Sequence, residues 1–240
     1  MFRYRLVRAS EYPRALQGQA WAGLLSSREE KVLAGLGIVP RRRKWLLGRI
    51  AAKQLVREIL GEQGLPDSQI SVLNQPSGEP FVLLEGRGAW QFPISLSHRS
   101  EIGMAAAPSD PDARIGADLE TIEPRDSALI RQFFTDEEAE TVEASGDDRD
   151  LVVAHIWSAK EAVLKLLGLG LRIDTRGVEV GRGGDSFAGC PAGWQPIDVK
   201  VVAKLPRQDV LEGLRVVWRR EAECVLTVAC SGGADLRLAA

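Results

Sequence analysis

The sequence predicts an α+β protein of two similar lobes, each a small, mostly antiparallel sheet packed on a long helix. We expect a pseudo-two-fold relation between the lobes and an active site at the lobe interface. Three observations predict this architecture. Short strand-like segments recur along the chain, a long amphipathic helical pattern interrupts them twice, and the two helical patterns resemble each other.

The two helical patterns align residue by residue. Residues 52–61 lie over residues 159–168, and the aligned segments are identical at Ala52, Lys53, Val56, Leu60 and Gly61. A repeat of this length favours two lobes over a solenoid; chance similarity between two amphipathic helices is the alternative. Because Pro108–Asp112 is rich in turn residues, we place the lobes at 1–112 and 113–240.

The N-terminal lobe begins with a strand, since Phe2–Val7 alternates apolar and basic residues. Ser26 or Ser27 caps a following helix. A longer amphipathic helix covers 41–60. Four further strands are predicted at Ile70–Leu73, Phe81–Leu84, Phe92–Ser97 and Ile102–Ala107.

The C-terminal lobe opens with a strand at Arg114–Glu120, followed by a helix at 128–134 and another that Thr135 caps. A long helix covers Ile156–Gly168, because apolar residues recur there at helical spacing and a glycine ends the pattern. The remaining strands are predicted at Asp174–Val180, Ile197–Val202, Leu214–Trp218 and Cys224–Cys230.

Composition limits the function classes. The net charge of −2 argues against a protein that binds nucleic acid or membranes through its overall charge. Three cysteines without C-x-x-C spacing indicate a reducing compartment. Arginines interrupt the apolar N-terminus and no long apolar run follows, so we expect neither a signal peptide nor a membrane span, and a cytoplasmic protein.

Two carboxylates mark the strand Arg114–Glu120. Asp118 and Glu120 are two residues apart and therefore point to the same face, where they repel each other unless a counter-charge is present. A hard divalent cation would provide that charge. Glu161 adds a third oxygen donor with no His or Cys nearby in sequence, a set that suits magnesium rather than zinc. The alternative is that Glu161 and Lys165 form an ordinary helix-stabilising pair.

Three ordered blocks carry a family resemblance: Ile94–His98, Ile115–Glu120, and Trp157–Glu161 followed by Lys165. At these residues the sequence resembles the surfactin-type family of 4′-phosphopantetheinyl transferases, and a looser likeness extends from about Leu24 to Val180. The resemblance implies transfer of the 4′-phosphopantetheine arm of coenzyme A to a serine of an acyl or peptidyl carrier protein, with release of 3′,5′-ADP. Such carriers serve fatty acid, polyketide or nonribosomal peptide biosynthesis.

The resemblance also implies roles for individual residues. Magnesium would bind Asp118, Glu120 and Glu161, and Glu161 or a water that it orients would take the serine proton. Lys165 would stabilise charge on the leaving phosphate, and Lys160 would assist in binding coenzyme A. The remaining coenzyme A contacts are expected from Ser97, His98, Lys31 and Arg43, with His98 counted among the catalytic residues. Without the resemblance, His98 would be a structural hydrogen-bonding residue and Arg43 part of a solvated basic turn.

Some positions depart from the family pattern. Glu79 stands where family members commonly have Lys or Arg, and Ser95 where they often have Asn.

Arg125 and Arg131 are expected to steer an acidic carrier protein. Glu138 is expected to be an exposed residue in the first turn of its helix.

Two alternatives stay open. The first is another magnesium-dependent enzyme that acts on a diphosphate, and the second is an inactive scaffold of the same fold that binds coenzyme A or a carrier protein. Because a two-lobed chain can build its site within one molecule, we expect a monomer.

Overall fold

Antiparallel sheets and helices make up both halves of the chain. The structure, a computed structural model, describes residues 1–13, 23–37, 39–181, 183–184, 190–202 and 208–232. Every strand pair in these ranges is antiparallel, so the predicted α+β class is confirmed. The chain divides into two compact units, Phe2–Pro111 and Asp112–Ala240, the latter with Met1.

Within its described residues, the first unit contains two three-stranded sheets and two α-helices. Its elements are β1 (Phe2–Arg8), α1 (Ser27–Ala34), α2 (Val39–Leu60), β2 (Ile70–Asn74), β3 (Pro80–Leu84), β4 (Gly88–Ala89), β5 (Ser95–Arg99) and β6 (Ile102–Pro108). The sheets have the strand orders β1-β6-β5 and β2-β3-β4.

Helix α2 is the long helix that the sequence predicts, and it begins slightly earlier, at Val39. Pro40 fits in its first turn, where a proline nitrogen needs no intrahelical partner. Leu46, Leu47 and Ile50 are buried in the core of this unit. The helix ends before Gly61, whose φ of 70° is left-handed and favours glycine.

The second unit contains a four-stranded sheet, a two-stranded sheet and three helices within its described residues. Its elements are β7 (Arg114–Thr121), α3 (Ser127–Phe133), α4 (Asp136–Glu143), α5 (Arg149–Leu166), β8 (Val178–Val180), β9 (Gln195–Ile197), β10 (Val199–Val201), β11 (Arg215–Glu221) and β12 (Cys224–Ser231). The sheets have the orders β7-β12-β11-β9 and β10-β8.

Helix α5 begins at Arg149, well before the predicted start at Ile156. The predicted helix is too short because Leu151–Ala154 is a continuous apolar run, in which helical spacing cannot be recognised. Gly168 follows the end of the helix with a φ of 70°. Helix α5 crosses β7 very closely, since a Cβ on Gly116 would overlap the carbonyl oxygen of Ala162.

A buried ion pair ties α1 to α2 in the first unit. Ser26 and Glu29 form a capping box at the start of α1. The Glu29 carboxylate also accepts a hydrogen bond from the Val72 N–H at 3.0 Å and lies 2.6 Å from Lys53 Nζ. Both charged side chains are almost fully buried, so Glu29 connects a helix start, a strand and a neighbouring helix.

The second unit contains the same set of contacts. Thr135 and Glu138 form a capping box at the start of α4. The Glu138 carboxylate accepts from the Val180 N–H at 2.9 Å and lies 2.8 Å from Lys160 Nζ. Glu138 is 3% exposed, so the expectation of an exposed first-turn residue is wrong.

Two of the composition-based expectations can be compared with the described residues. No helix among them is long and apolar enough to cross a membrane. Cys190, Cys224 and Cys230 are free thiols.

Candidate active site

The predicted carboxylates lie on β7, in the four-stranded sheet of the second unit. Asp118 and Glu120 occupy one face of the strand and are 3% and 5% exposed. Lys165 reaches this face from α5, and its ammonium group lies 2.6 Å from Asp118 Oδ1 and 3.2 Å from the Ala117 carbonyl oxygen. The structure therefore brings the block 115–120 and the block 157–165 together.

The two carboxylates receive their counter-charges from the protein itself. Lys165 pairs with Asp118, and Arg125 Nη2 lies 2.8 Å from Glu120 Oε2. The same guanidinium nitrogen is 3.2 Å from Glu123 Oε1. A divalent cation is therefore not needed to relieve the repulsion between the two carboxylates, because Arg125, which the sequence analysis places at the docking surface, pairs with Glu120.

Glu161 lies half-buried on α5, one turn before Lys165. Within the described ranges, no group of three acidic, His or Cys side chains is close enough to hold a metal ion. Asp118 and Glu120 nevertheless fit a hard divalent cation as two of its ligands, since both present buried carboxylate oxygens on the same strand face. The predicted three-carboxylate set is thus only partly assembled.

Lys160 is fully buried, which the sequence does not predict. Its ammonium group donates to the carbonyl oxygens of Thr175 and Val178 and pairs with Glu138. Burial lowers the pKa of Lys160, and the hydrogen bond and charge of Glu138 oppose that shift. In this arrangement Lys160 offers no surface to coenzyme A.

Ser97 and His98 lie next to each other on β5, in the first unit. Ser97 is buried and His98 is exposed, as expected for consecutive residues of a strand. They lie opposite Met104 and Gly103 of β6. The imidazole is therefore accessible to a ligand, whereas the serine hydroxyl is largely covered.

The basic residues expected at the 3′-phosphate of coenzyme A differ in their surroundings. Lys31 is exposed on α1. Arg43 on α2 pairs with the carboxylate of Glu101, and its side chain is 41% exposed. A phosphate that binds Arg43 would have to replace this carboxylate.

Two cavities among the described residues of the second unit have linings that do not include the carboxylates of β7. One, of about 310 Å³, is lined by acidic residues that include Glu137, Glu140 and Glu179, and so does not suit a phosphate ligand. The other, of about 280 Å³, is lined by His155 and by apolar side chains that include Val152. Burial lowers the pKa of His155 to about 4, so its ring is neutral near pH 7.

The sequence argument missed the pairs that Glu138 and Arg125 form. A signal for the first was present, since Ser26-x-x-Glu29 and Thr135-x-x-Glu138 are both capping-box patterns upstream of aligned lysines. The pair of Arg125 and Glu120 could not be predicted in this way. The two residues are five apart in sequence, and beyond the end of a strand that separation does not indicate a contact.

The comparison with known families covers the segment that contains these residues. A family model described as "4'-phosphopantetheinyl transferase superfamily" matches residues 114–188, the segment that contains Asp118, Glu120, Glu161 and Lys165. The resemblance to the 4′-phosphopantetheinyl transferases is confirmed.

Several curated transferases match the same chain. The 4′-phosphopantetheinyl transferase psf-1 of Bacillus pumilus is 32% identical over 130 residues, which cover 54% of this chain and 52% of that protein. The L-aminoadipate-semialdehyde dehydrogenase-phosphopantetheinyl transferase of Xenopus laevis is 26% identical and matches over 54% of this chain and 46% of its own length. The chain spans about half the length of the curated relatives it matches.

Solved structures of holo-acyl-carrier-protein synthases also match. The synthase of Bacillus anthracis, in complex with coenzyme A (3′,5′-ADP), is 21% identical, with a TM-score of 0.37 over 44% of this chain and 91% of that chain. The synthase of Helicobacter pylori, in complex with coenzyme A, is 15% identical, with a TM-score of 0.36 over 45% of this chain and 98% of that chain.

Proposed function

We propose that this chain transfers the 4′-phosphopantetheine arm of coenzyme A to a serine hydroxyl of an acyl or peptidyl carrier protein and releases 3′,5′-ADP. The observation that carries the proposal is the superfamily match over residues 114–188. The contact between Lys165 and Asp118 supports it, because it joins the two motifs of that segment in one place.

The reaction is a displacement at phosphorus. The serine oxygen attacks the phosphorus that bears the pantetheine arm, and the bond from that phosphorus to the bridging pyrophosphate oxygen breaks. The serine proton passes to Glu161 or to a water that Glu161 orients, and the bonding electrons leave with 3′,5′-ADP. Since little covalent chemistry is left to the protein, positioning and charge neutralisation dominate the catalysis.

Lys165 is the cation that we assign to the leaving phosphate. Its side chain is 26% exposed, so a ligand can reach the ammonium group without unfolding the helix. A lysine on a flexible four-carbon stem can contact Asp118 and turn to an incoming phosphate. This mobility distinguishes Lys165 from Lys160, which is held inside the core.

Asp118 and Glu120, with Glu161 as the third ligand, are the residues that we propose hold magnesium. Oxygen-only donors support this choice of metal. When bound, the ion would neutralise the pyrophosphate oxygens of coenzyme A.

Ser97 and His98 are proposed to contact the phosphates of coenzyme A, and the exposure of His98 supports its part in this role. Lys31 and Arg43 stay weaker proposals for the 3′-phosphate. Lys160 is no longer assigned to coenzyme A, because its hydrogen bonds hold it to Glu138 and to buried carbonyl groups.

We further propose that the two units are the predicted lobes 1–112 and 113–240 and that they arose by internal duplication. The recurrence of one contact set supports this, with Glu29 and Lys53 in one unit and Glu138 and Lys160 in the other. The pseudo-two-fold relation, the position of the site at the lobe interface, the monomeric state and the cytoplasmic location stay predictions from the sequence.

Release of 3′,5′-ADP from coenzyme A in the presence of magnesium and an apo carrier protein tests the proposal. We expect release that requires the carrier, and a rate at least about 100-fold lower in a Glu161→Gln variant, because the proton acceptor is lost. A Glu140→Gln variant on the exposed face of α4 serves as the matched control and should match the wild-type rate. Cleavage of coenzyme A without a carrier would favour the diphosphate-processing alternative, and binding without cleavage would favour the scaffold.

A further inference from the structure

Arg125 forms an ion pair with Glu120, one of the residues that we propose bind the metal. Its guanidinium contacts Glu120 at 2.8 Å, and the two side chains are 15% and 7% exposed. This pair is therefore much better shielded from water than an ordinary surface ion pair.

The arrangement is local, so it assembles with the strand itself. Arg125 follows Glu120 by five residues, just beyond the end of β7 at Thr121. The same guanidinium nitrogen lies 3.4 Å from the Thr121 carbonyl oxygen and 3.5 Å from its hydroxyl. The segment 120–125 thus turns back so that Arg125, at its end, contacts the carboxylate of Glu120, at its start.

Arg125 also has a second carboxylate within reach. Glu123 Oε1 is 3.2 Å from the guanidinium, and the Glu123 side chain is 50% exposed. A guanidinium that leaves Glu120 can therefore stay paired with a carboxylate at the surface. Glu123 provides an alternative position for the positive charge at little cost in solvation.

Two positive charges already lie against the carboxylates of β7. Lys165 contacts Asp118 Oδ1, and Arg125 contacts Glu120 Oε2. A divalent cation that bound these same oxygens would meet like-charge repulsion from both side chains in a site of low exposure. Metal binding at Glu120 Oε2 consequently requires Arg125 to move.

We propose that Arg125 is an internal competitor of the divalent cation, a positioning residue that moves from Glu120 to Glu123 when the metal binds and thereby sets the metal affinity. The inference rests on the proposed function, since that proposal supplies the metal. It goes beyond that function by assigning a role to two residues, Arg125 and Glu123, that the proposed chemistry does not use.

The test is direct titration of the full-length protein with Mn²⁺, with free aqueous Mn²⁺ followed by electron paramagnetic resonance and no coenzyme A present. We expect Arg125→Gln to bind Mn²⁺ about tenfold more tightly than wild type, the scale on which neighbours of metal ligands alter affinity. Arg125→Lys, which keeps the charge, should stay within about threefold of wild type. Glu123→Gln removes the alternative partner and should weaken binding.

Arg176→Gln is the matched control, because Arg176 forms an exposed pair with Asp174 in the same unit. Its Mn²⁺ affinity should equal that of wild type. Thermal unfolding of each variant shows whether the variants remain folded. The inference is overturned if folded Arg125→Gln binds Mn²⁺ no more tightly than wild type, or if none of the proteins binds Mn²⁺. The carrier-dependent release of 3′,5′-ADP by wild type is scored separately, so a failed transferase proposal and a failed role for Arg125 give different results.

Discussion

Lys160 belongs to the Trp157–Glu161 motif, but its side chain is buried in the core. It sits next to Glu161 in sequence, yet its ammonium group is directed into the core, where it pairs with Glu138 and donates to two carbonyl oxygens. A charge in such a place is tolerated only because every donor finds a partner. Lys160 therefore fixes α5 to α4 and to the segment before β8, and so holds Glu161 in position indirectly.

Removal of the Lys160 charge should make the folded protein less stable. We expect Lys160→Met to lower the free energy of unfolding by about 3–5 kcal/mol, because the Glu138 carboxylate is left buried and unpaired. Urea denaturation measures the effect, and Lys53→Met should have a similar cost in the first unit. Lys200→Met, at an exposed position of β10, should change stability by less than about 0.5 kcal/mol. A Lys160→Met variant that is as stable as wild type but binds coenzyme A more weakly would contradict the structural role and indicate that Lys160 contacts coenzyme A.

His155 should make stability depend on pH. Burial lowers its folded-state pKa to about 4, whereas the unfolded chain has the ordinary value of 6.5. Between these values the unfolded chain takes up a proton that the folded protein does not, so stability is lost as the pH falls from about 6.5 to 4. His155→Gln should reduce the slope of unfolding free energy against pH in this window. If the slope in His155→Gln equals that of wild type, His155 is not the source of the pH dependence.

At the scale of the elements, each long helix approaches a strand through a glycine. Gly116 on β7 lies against the backbone of α5 at Ala162, and Gly103 on β6 lies against the backbone of α2 at Leu47. Without a side chain on the strand, helix and sheet come close enough for Lys165 to reach Asp118. These glycines therefore help to set the geometry of the candidate site.

Added methyl groups should separate helix from strand. We expect Gly116→Ala and Gly103→Ala each to cost about 3 kcal/mol of stability, because the new Cβ would overlap backbone atoms that cannot move alone. Gly48→Ala is the contrasting variant, since a Cβ there meets nothing within 4 Å. It should stabilise α2 by about 0.5–1 kcal/mol through helix propensity. Thermal unfolding shows whether each of the three variants is less or more stable than wild type. A Gly116→Ala variant as stable as wild type would mean that α5 does not pack closely against β7.

The sequence predicts most elements because their signals are local. Alternation marks β1, the apolar stripe and terminal glycine mark α2, and Thr135 marks the start of α4, all of which the structure confirms. The sequence does not predict the early start of α5, because Leu151–Ala154 is a continuous apolar run without helical spacing. Periodicity alone does not assign a short continuous apolar run to a helix or a strand.

For the candidate site, the sequence predicts which motifs come together but not the ion-pair partners of their residues. Asp118 and Lys165 are brought together as the two blocks imply. The partners Arg125 of Glu120 and Glu138 of Lys160 were not foreseen, because an ion pair depends on where chain segments meet in space and spacing in sequence does not encode this. The aligned helices point to Glu138, since Glu29 precedes Lys53 by 24 residues and Glu138 precedes the aligned Lys160 by 22.

At the scale of the whole molecule, a net charge of −2 means that the proposed recognition of a carrier protein would depend on local surfaces. Arg125 is only 15% exposed and is engaged with Glu120, so it is a poor candidate for steering an acidic partner. Arg131 on α3 is exposed and remains available at the surface for that role. Docking should therefore depend on few charges and respond moderately to salt.

The central claim is that the chain builds a covalent link between phosphopantetheine and a carrier serine. The intact mass of an apo carrier protein, incubated with this protein, coenzyme A and magnesium, tests it most directly. The account predicts a gain of one phosphopantetheine group per carrier, no gain on a carrier whose acceptor serine is replaced by alanine, and no gain with the Glu161→Gln variant. An unchanged mass across several unrelated carriers, from a protein that binds coenzyme A, would contradict it.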